Sequence, residues 1–326
     1  MSGSAQRPPV VELAAAEVRA RTPLVSVLIN TYNHEAFIGA CLDGALAQQT
    51  DFPVEWVVGE DGSADRTREI CRAYQRRYPA QIRLLLPERN LGELENFRVC
   101  FEACRGRYIA LLEGDDLWLS PHKLQRQVDA LERHPEWALC IHNVKLIGER
   151  QTAEDVFFTG PPRAVYRRAD FVERNFVPTC SCVLRNLGLA ILPEWFWDRE
   201  LNPYPDWILY VSQAAYGDVG YLDKVLGAHR RHAGGVWGST FDGSVEGDIR
   251  RMRKRLTAFE RLGECLGPEY AAAVRRQRAA ACFHLALAYR EGGDRRQQRR
   301  FLIRGWLTEP RAPYPFWRCY LRSWRR

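Results

Sequence analysis

Apolar and polar positions in the first half of the chain form blocks of strand length and helix length. Runs rich in valine, isoleucine and leucine end at polar turns, and stretches with apolar residues at helical spacing follow them. This pattern predicts strands at 25–29, 54–58, 82–86 and 108–112 and helices at 37–49, 65–78 and 96–104. Strands that alternate with helices indicate an α/β fold, a mostly parallel sheet with helices on both faces.

The second half has a different pattern. A late strand is predicted at 219–226, and from residue 247 the apolar spacing is helical. Residues 281–310 resemble one tetratricopeptide-type helical hairpin, which needs neighbours to bury its apolar face, so we expect it to pack on the preceding domain. The predicted organisation is a loosely ordered leader at 1–22, an α/β domain at 23–240 and a basic helical extension at 241–326.

Composition and charge narrow the class of protein. The 326 residues are 46% hydrophobic and 27% charged, as in soluble globular proteins, and no run approaches the roughly 20 apolar residues of a membrane span. The ten cysteines match neither a redox nor a zinc spacing, which indicates reduced thiols in a cytoplasmic protein. The net charge of +7 is uneven, since residues 241–326 carry 20 Lys and Arg against 9 Asp and Glu. Any attraction to anionic partners is therefore expected in the tail.

Two adjacent carboxylates, Asp115 and Asp116, follow the strand predicted at 108–112. Hard cations such as Mg²⁺ bind carboxylates together with substrate phosphates, whereas a plain turn with two solvated acids is the alternative. Thr31 and Asp61 also follow predicted strands. Ligands of such sheets bind beyond the carboxyl ends of the strands, so these residues predict a nucleotide crevice.

Four segments together resemble the family 2 glycosyltransferases of GT-A fold. They are V-S-V-L-I-N-T-Y-N-H-E at 25–35, G-E-D-G-S-A-D-R-T at 59–67, N-L-G at 90–92 and L-L-E-G-D-D-L-W at 111–118. The resemblance covers about 25–240. It implies inverting transfer of a sugar from a nucleotide-diphosphate donor, with a UDP-sugar favoured, to an acceptor hydroxyl, assisted by Mg²⁺ or Mn²⁺.

The resemblance also implies roles for residues of these segments. Asp116 would hold the metal as the last residue of a DxD-like motif, and Asp115 would lie near the ribose and the donor, with contact between Asp115 and the metal left open. The motif reads Glu113-Gly114-Asp115-Asp116 here and so departs from a strict Asp-x-Asp. Lys123 is a further donor-contact candidate. The other donor-binding residues implied are Thr31, Tyr32, Glu35 and Asp61.

Inverting transfer needs a general base that deprotonates the attacking hydroxyl, and a carboxylate is expected. Asp206, in Tyr204-Pro205-Asp206-Trp207, matches the acid-before-Trp motif of the family. The alternative is that Asp206 caps the helix that follows, because Asp is a favoured N-cap residue. Asp198 and Glu200 are the fallback candidates.

His229 to Trp237 resembles the family's Tyr-Arg-x-His stretch before a mobile glycine-containing loop. An imidazole can complete a metal shell and a guanidinium can balance diphosphate charge, so His232 is assigned to the metal or the diphosphate and Arg230 to the donor phosphates. An ordinary surface loop is the alternative. Gly234 and Gly235 could let the loop close over the donor.

The acceptor is expected to be a glycan, a lipid-linked molecule or a small molecule, in bacterial polysaccharide or glycoconjugate biosynthesis. Trp195, Trp197 and Trp207 form either an acceptor platform or part of a core. The aromatic and arginine-rich end at 311–326 predicts peripheral contact with the inner face of the cell membrane, and a solvated basic end is the alternative.

Two other classes of protein compete with this interpretation. A nucleotidyltransferase of similar fold would carry a glycine-rich, basic phosphate loop after its first strand, and Asn30-Thr31-Tyr32-Asn33 is not such a loop. A non-catalytic nucleic-acid-binding protein could use the basic tail. Because no recognised module is present and residues 1–240 are net acidic, no nucleic acid is expected as a partner.

Overall fold

The computed structural model describes residues 8–148, 155–158, 162–232, 234–235 and 244–311. The chain divides into two units, and each consists of several segments. The first unit comprises 1–167, 177–191 and 212–231, and the second comprises 168–176, 192–211 and 232–326. No helix in the described ranges is both long and apolar enough to cross a membrane.

The first unit contains a mixed sheet in which the described strands follow the order β1-β4-β3-β2-β5-β9-β7-β10-β6, with β8 paired to β10. The neighbours β4, β3, β2 and β5 are parallel, and so are β7 and β10. The strands are β1 (Val10–Leu13), β2 (Val25–Thr31), β3 (Val54–Glu60), β4 (Ile82–Pro87), β5 (Tyr108–Glu113), β6 (Leu117–Trp118), β7 (Trp137–Gly148), β8 (Val165–Tyr166), β9 (Val183–Arg185) and β10 (Asp218–Arg231). The predicted α/β fold with a mostly parallel central region is confirmed.

Helices connect the parallel strands of the first unit. The central strands are apolar along most of their length because both faces of the sheet are covered, and residues such as Val27, Ile29 and Leu112 are buried in the main core. Strand order reverses between β2 and β5, which creates a topological switch point where ligands of such sheets bind. The helices are α1 (Ala16–Ala20), α2 (Ile38–Leu46), α3 (Thr67–Arg77), α4 (Glu93–Ala103) and α5 (Lys123–Arg133).

The sequence did not predict the strands β6, β7, β8 and β9, and the structure differs from the prediction at two further strands. Residues 10–13 of the predicted loose leader form an edge strand, β1, which pairs antiparallel with β4. A four-residue edge strand has too few alternating positions to stand out in the sequence. The late strand, predicted to end at Leu226, continues to Arg231, because the polar residues at its end pair with the carboxyl-terminal half of β7.

The second unit is helical and takes in more of the chain than the predicted extension. Two segments within the range predicted for the α/β domain, 168–176 and 192–211, belong to it. They include α6 (Arg168–Glu173) and most of α7 (Pro205–Gln213), and the C-terminal part contains α8 (Val245–Cys265), α9 (Ala271–Glu291) and α10 (Arg295–Thr308). Helices α9 and α10 form the predicted hairpin, whose turn contains Gly293 at φ 78° and Asp294, the N-cap of α10.

Within the second unit, the hairpin has the neighbours that a single helical repeat requires. Leu256 of α8 lies in one hydrophobic cluster with Leu285 of α9 and Leu302 of α10. Arg276 of α9 forms an ion pair with Glu173 of α6. The side of the hairpin that packs on α8 is therefore covered without further repeats, whereas Ile303, Trp306 and Leu307 of α10 are exposed.

A buried ion network lies at the amino-terminal end of the central strands. The Glu55 carboxylate is buried and accepts hydrogen bonds from Arg83 Nη1 at 3.0 Å, Arg105 Nε at 3.0 Å and Ser26 Oγ at 2.6 Å. Burial would raise the pKa of Glu55, but the hydrogen bonds from Arg105 and Ser26 and the charge of Arg83 lower it below its ordinary value of 4.5. The network joins β2, β3, β4 and the loop before β5.

Glu55→Gln is expected to lower the free energy of unfolding at pH 7 by about 3 kcal/mol, because it leaves buried arginine charge without its partner. The folded-state pKa lies below the unfolded one, so the ionised Glu55 stabilises the fold above about pH 4.5 and loses that effect as the pH falls further. Urea unfolding should therefore show a gap between wild type and variant that narrows toward pH 3.

Glu69→Gln is the matched control, since Glu69 forms an exposed pair with Arg66. It should change stability by less than about 0.5 kcal/mol. Equal effects of the two substitutions would contradict a stabilising role for the buried network.

Candidate active site

The turn after β5 presses against the end of β2 at the switch point. Gly114 N donates to Asn30 O at 2.8 Å, and Asp116 N donates to Glu113 O at 3.0 Å. A Cβ on Gly114 would lie 2.5 Å from Thr31 Oγ1 and 2.8 Å from His34 Nδ1, so only glycine permits this approach. The turn thus brings the two aspartates next to Thr31, as the order of the strands predicts.

Asp116 is the inner acid of the pair, with a side chain only 1% exposed. Its Oδ1 accepts from Arg230 N at 2.7 Å, and its Oδ2 lies 3.2 Å from His229 Nδ1. Burial alone would lower the pKa of His229, but the hydrogen bond and charge of Asp116 raise it above its ordinary value. Hydrogen bonds of the Asp116 carboxylate therefore connect the turn after β5 to the end of β10.

Asp115 is the outer acid, and its side chain is 16% exposed. Its Oδ2 lies 3.9 Å from His34 Nε2, and its backbone oxygen accepts from Arg230 Nε at 2.8 Å. The Arg230 guanidinium carbon also lies 4.7 Å from the centre of the Phe37 ring. Arg230, predicted to meet the donor phosphates, thus contacts both aspartates of the turn.

The loops after β2 and β3 hold each other through side-chain to backbone hydrogen bonds. Asn33, with φ 54°, donates from its backbone N to Ser63 Oγ at 2.9 Å and accepts from Ala64 N at 2.9 Å. Glu35 Oε2 accepts from Arg66 N at 2.9 Å. Glu35, predicted to line the nucleotide, therefore makes a loop-holding contact, whereas Tyr32 is exposed beside it.

Asp61, predicted to meet the base of the donor, is buried and holds the neighbouring loop. Its Oδ1 accepts from Leu91 N at 2.7 Å, and its Oδ2 accepts from Gly92 N at 2.9 Å and Asn90 Nδ2 at 3.1 Å. Gly92 has φ 85°, a conformation that favours glycine. The N-L-G motif and Asp61 thus form one structural element.

In the second unit, Asp206 is the second residue of α7. The interpretation of Asp206 as the N-cap of this helix is wrong, because the helix begins before it. Asp206 Oδ2 accepts from Asn175 Nδ2 at 2.6 Å, a partner that the sequence did not single out. Trp207 is buried edge-on against Phe259, with ring centres 4.9 Å apart, so it belongs to the core and not to an acceptor platform.

His232, the predicted metal ligand, is the residue after the end of β10, and Gly235 N donates to its backbone oxygen at 3.2 Å. Most of the loop predicted to close over the donor, residues 233 and 236–243, lies outside the described residues. The sequence did not single out His229, although it belongs to the same basic segment. His229 lies in the five residues by which β10 extends beyond the predicted strand, and there its ring lies beside Asp116.

Lys123 cannot be the donor contact that its position after the motif suggested. Its side chain is fully buried, and Nζ lies 4.0 Å from the centre of the Trp118 ring without a hydrogen-bond acceptor among the described residues. Burial lowers the pKa of Lys123 to about 7. Nearby, burial and then the charge of Lys123 lower the pKa of His142 to about 3.

Comparison with known proteins identifies the domain. The model of the family described as Glycosyl transferase family 2 matches residues 26–186, which include the β2 loop, Asp61 and the aspartate turn. Residues 26–186 match the family 2 glycosyltransferases. An uncharacterized protein of Mycobacterium tuberculosis (strain ATCC 25618 / H37Rv) is 39% identical over 222 residues. That alignment covers 67% of this chain and 61% of the relative, so the chain spans about three fifths of the relative's length.

Solved structures support the GT-A fold, and their alignments extend over most of this chain. Staphylococcus aureus TarS 1-349 in complex with UDP-GlcNAc has a TM-score of 0.54 at 18% identity, covering 89% of this chain and 93% of that chain. The mannosyltransferase PcManGT from Pyrobaculum calidifontis, in complex with GDP-Man and Mn²⁺, has a TM-score of 0.53 at 15% identity, covering 95% and 81%. At these identities the likeness concerns the fold alone.

Lys123→Met is expected to raise the free energy of unfolding at pH 7 by on the order of 3 kcal/mol, because it removes a buried unpaired amine. The unfolded lysine keeps its proton up to about pH 10.5 and the folded one only to about pH 7, so wild-type stability rises with pH between these values. The advantage of the variant in urea unfolding should shrink across this window.

Lys224→Met is the control, since Lys224 is exposed on β10. It should leave both the stability and its pH dependence nearly unchanged. A Lys123→Met protein that is less stable than wild type at pH 7 would refute the cost assigned to the buried amine.

Proposed function

We propose that this protein is an inverting glycosyltransferase that moves a sugar from a nucleotide-diphosphate donor to an acceptor hydroxyl. The aspartate turn at the switch point of a family 2 domain is the observation that carries the proposal. A UDP-sugar is the favoured donor. Thr31, Tyr32, Glu35, Asp61, Asp115 and Arg230 are proposed to line the donor.

The donor residues fall into two groups by exposure. Tyr32 is exposed and Asp115 partly so, and both are suited to direct contact. Asp61 and Glu35 already hold loops through backbone N–H groups. A carboxylate oxygen can accept more than one hydrogen bond, so a contact between Asp61 and the donor base remains compatible with its loop bonds.

A divalent cation, Mg²⁺ or Mn²⁺, is proposed to bind at the aspartate turn through Asp116 and His232, with Asp115 shared between metal and donor. Carboxylate and imidazole ligands together suit Mn²⁺, and carboxylates suit Mg²⁺. Asp115 Oδ2 and His34 Nε2, 3.9 Å apart, are a donor pair of this type. The bound cation would neutralise charge that develops on the leaving diphosphate.

Asp206 is proposed as the general base that takes the proton of the acceptor hydroxyl. Its hydrogen bond from Asn175 fixes the orientation of the carboxylate, as a base with a defined target requires. The acceptor class, a glycan, a lipid-linked molecule or a small molecule, and a role in bacterial polysaccharide or glycoconjugate biosynthesis are parts of this proposal. So is a cytoplasmic location, which the free thiols of all nine described cysteines support.

Asp115→Asn and Asp116→Asn are each expected to weaken metal-dependent binding of a UDP-sugar at least tenfold, because each removes a carboxylate charge next to the cation. Calorimetric titration of a panel of nucleotide sugars, with Mn²⁺ and with EDTA, measures this effect. Asp116→Asn should also lower stability, since the charge it removes is a partner of the partly buried His229. Asp115→Asn should leave stability unchanged.

Asp51→Asn, an exposed acid with no ion pair among the described residues, is the control and should bind as wild type. Donor binding that ignores both the metal and the two substitutions in the turn would refute the proposed metal site. If no nucleotide sugar binds, the proposed activity fails as well.

Asp206→Asn is expected to keep donor binding and to reduce sugar transfer at least 100-fold, because the amide cannot accept the proton. Asp198→Asn, in the exposed fallback acid, is the control and should retain transfer. Transfer is measured as release of the nucleoside diphosphate in the presence of acceptor. An active Asp206→Asn enzyme would leave Asp206 with a structural role only.

A further inference from the structure

Helix α10 combines a strong basic character with an exposed apolar face. Its sequence from 295 to 308, R-R-Q-Q-R-R-F-L-I-R-G-W-L-T, has five arginines and no acid. Phe301 and Leu302 are buried, and Phe301 stacks on Tyr289 with ring centres 5.6 Å apart. These contacts fix the rotation of the helix about its axis and so determine which residues face outward.

The outward face carries three large apolar side chains. Ile303 is 43% exposed, Trp306 is 49% exposed and Leu307 is 66% exposed. The three lie within about one and a half turns of the helix, at spacings that put them on one side. Exposed apolar groups clustered in this way mark an interaction surface more often than single exposed residues do.

Two exposed arginines, Arg296 and Arg300, extend the same face toward the start of the helix. They lie seven residues before Ile303 and Leu307, which is two helical turns. Neither forms an ion pair with an acid among the described residues. By contrast, Arg304, at the edge of the face, pairs with Glu260 of α8. No acid in the described part of the second unit therefore neutralises the positive charge of this part of the face.

We propose that this face of α10, formed by Arg296, Arg300, Ile303, Trp306 and Leu307, docks on an anionic lipid surface. A helix that combines arginines with tryptophan and leucine on its exposed side can insert the apolar side chains at the headgroup boundary while the guanidinium groups contact lipid phosphates. Charge complementarity selects an anionic surface over a neutral one.

The last residues of the chain are a less suitable cover for this face. Residues 312–326 contain four arginines and no acid, so they repel α10 electrostatically. The same composition would add to attraction toward anionic lipid. The proposal concerns α10 itself and is independent of the sugar donor, so its test needs no transfer assay.

The 326-residue chain is expected to float with vesicles of phosphatidylcholine and phosphatidylglycerol, but not with phosphatidylcholine alone. Arg296→Gln with Arg300→Gln should weaken the partitioning about 30-fold, since each arginine near an anionic surface contributes about fivefold. Trp306→Ser should weaken it roughly tenfold. Higher salt should weaken wild-type binding.

Arg72→Gln with Arg76→Gln is the matched control, because these arginines are also exposed, four residues apart and on a helix, α3. Tyr216→Ser is the control for loss of an exposed aromatic residue. Both control proteins should bind within twofold of wild type. Circular dichroism checks that every variant keeps its helix content, which is expected because all the changed side chains are exposed.

Three results would overturn the proposal. One is binding to neutral vesicles as strong as to anionic ones, or no binding to either. Another is that both α10 variants bind vesicles as strongly as wild type does. If only deletion of 312–326 then abolishes vesicle binding, the lipid contact belongs to the tail. The last is that wild type binds no vesicles but self-associates, and that Trp306→Ser abolishes this self-association. The face would then be an interface between two copies of the chain.

Discussion

The buried carboxylate of Asp116 is the contact on which the geometry of the site depends. It joins the turn after β5 to the end of β10, more than 110 residues later in the chain. A buried carboxylate without partners costs several kcal/mol, so the N–H of Arg230 and the ring of His229 stabilise the position of this turn. One charge therefore fixes two chain segments, and with them the direction of Asp115.

This constraint separates two acids that look equivalent in the sequence. Asp116 is buried against β10, whereas the backbone oxygen of Asp115 accepts from Arg230 and its partly exposed carboxylate lies beside His34. Gly114 makes the separation possible, because any side chain there would push the turn away from Thr31. The cation site that we propose would thus combine a fixed inner acid with a more accessible outer one.

The sequence predicted four strands with long buried patterns but not β7, whose first eight residues are buried. The strands β2 to β5 were found because parallel strands covered on both faces are apolar throughout. The end of β10 was missed because its last residues are polar and are held by pairing with β7, which no local pattern encodes. For the same reason the sequence did not point to His229. It did not point to Asn175 either, because the hydrogen bond from Asn175 to Asp206 joins two segments 31 residues apart.

Polar residues in the loops were harder to interpret, because ligand contact and loop support need the same side chains. Asp61 and Glu35 carry carboxylates at the predicted edge of the sheet, yet each bonds backbone N–H groups of a neighbouring loop. Such bonds order the loops before any ligand arrives, so binding costs less conformational entropy. A supporting residue of this kind therefore acts on affinity through the loop that it holds, and its importance does not require that it touch the donor.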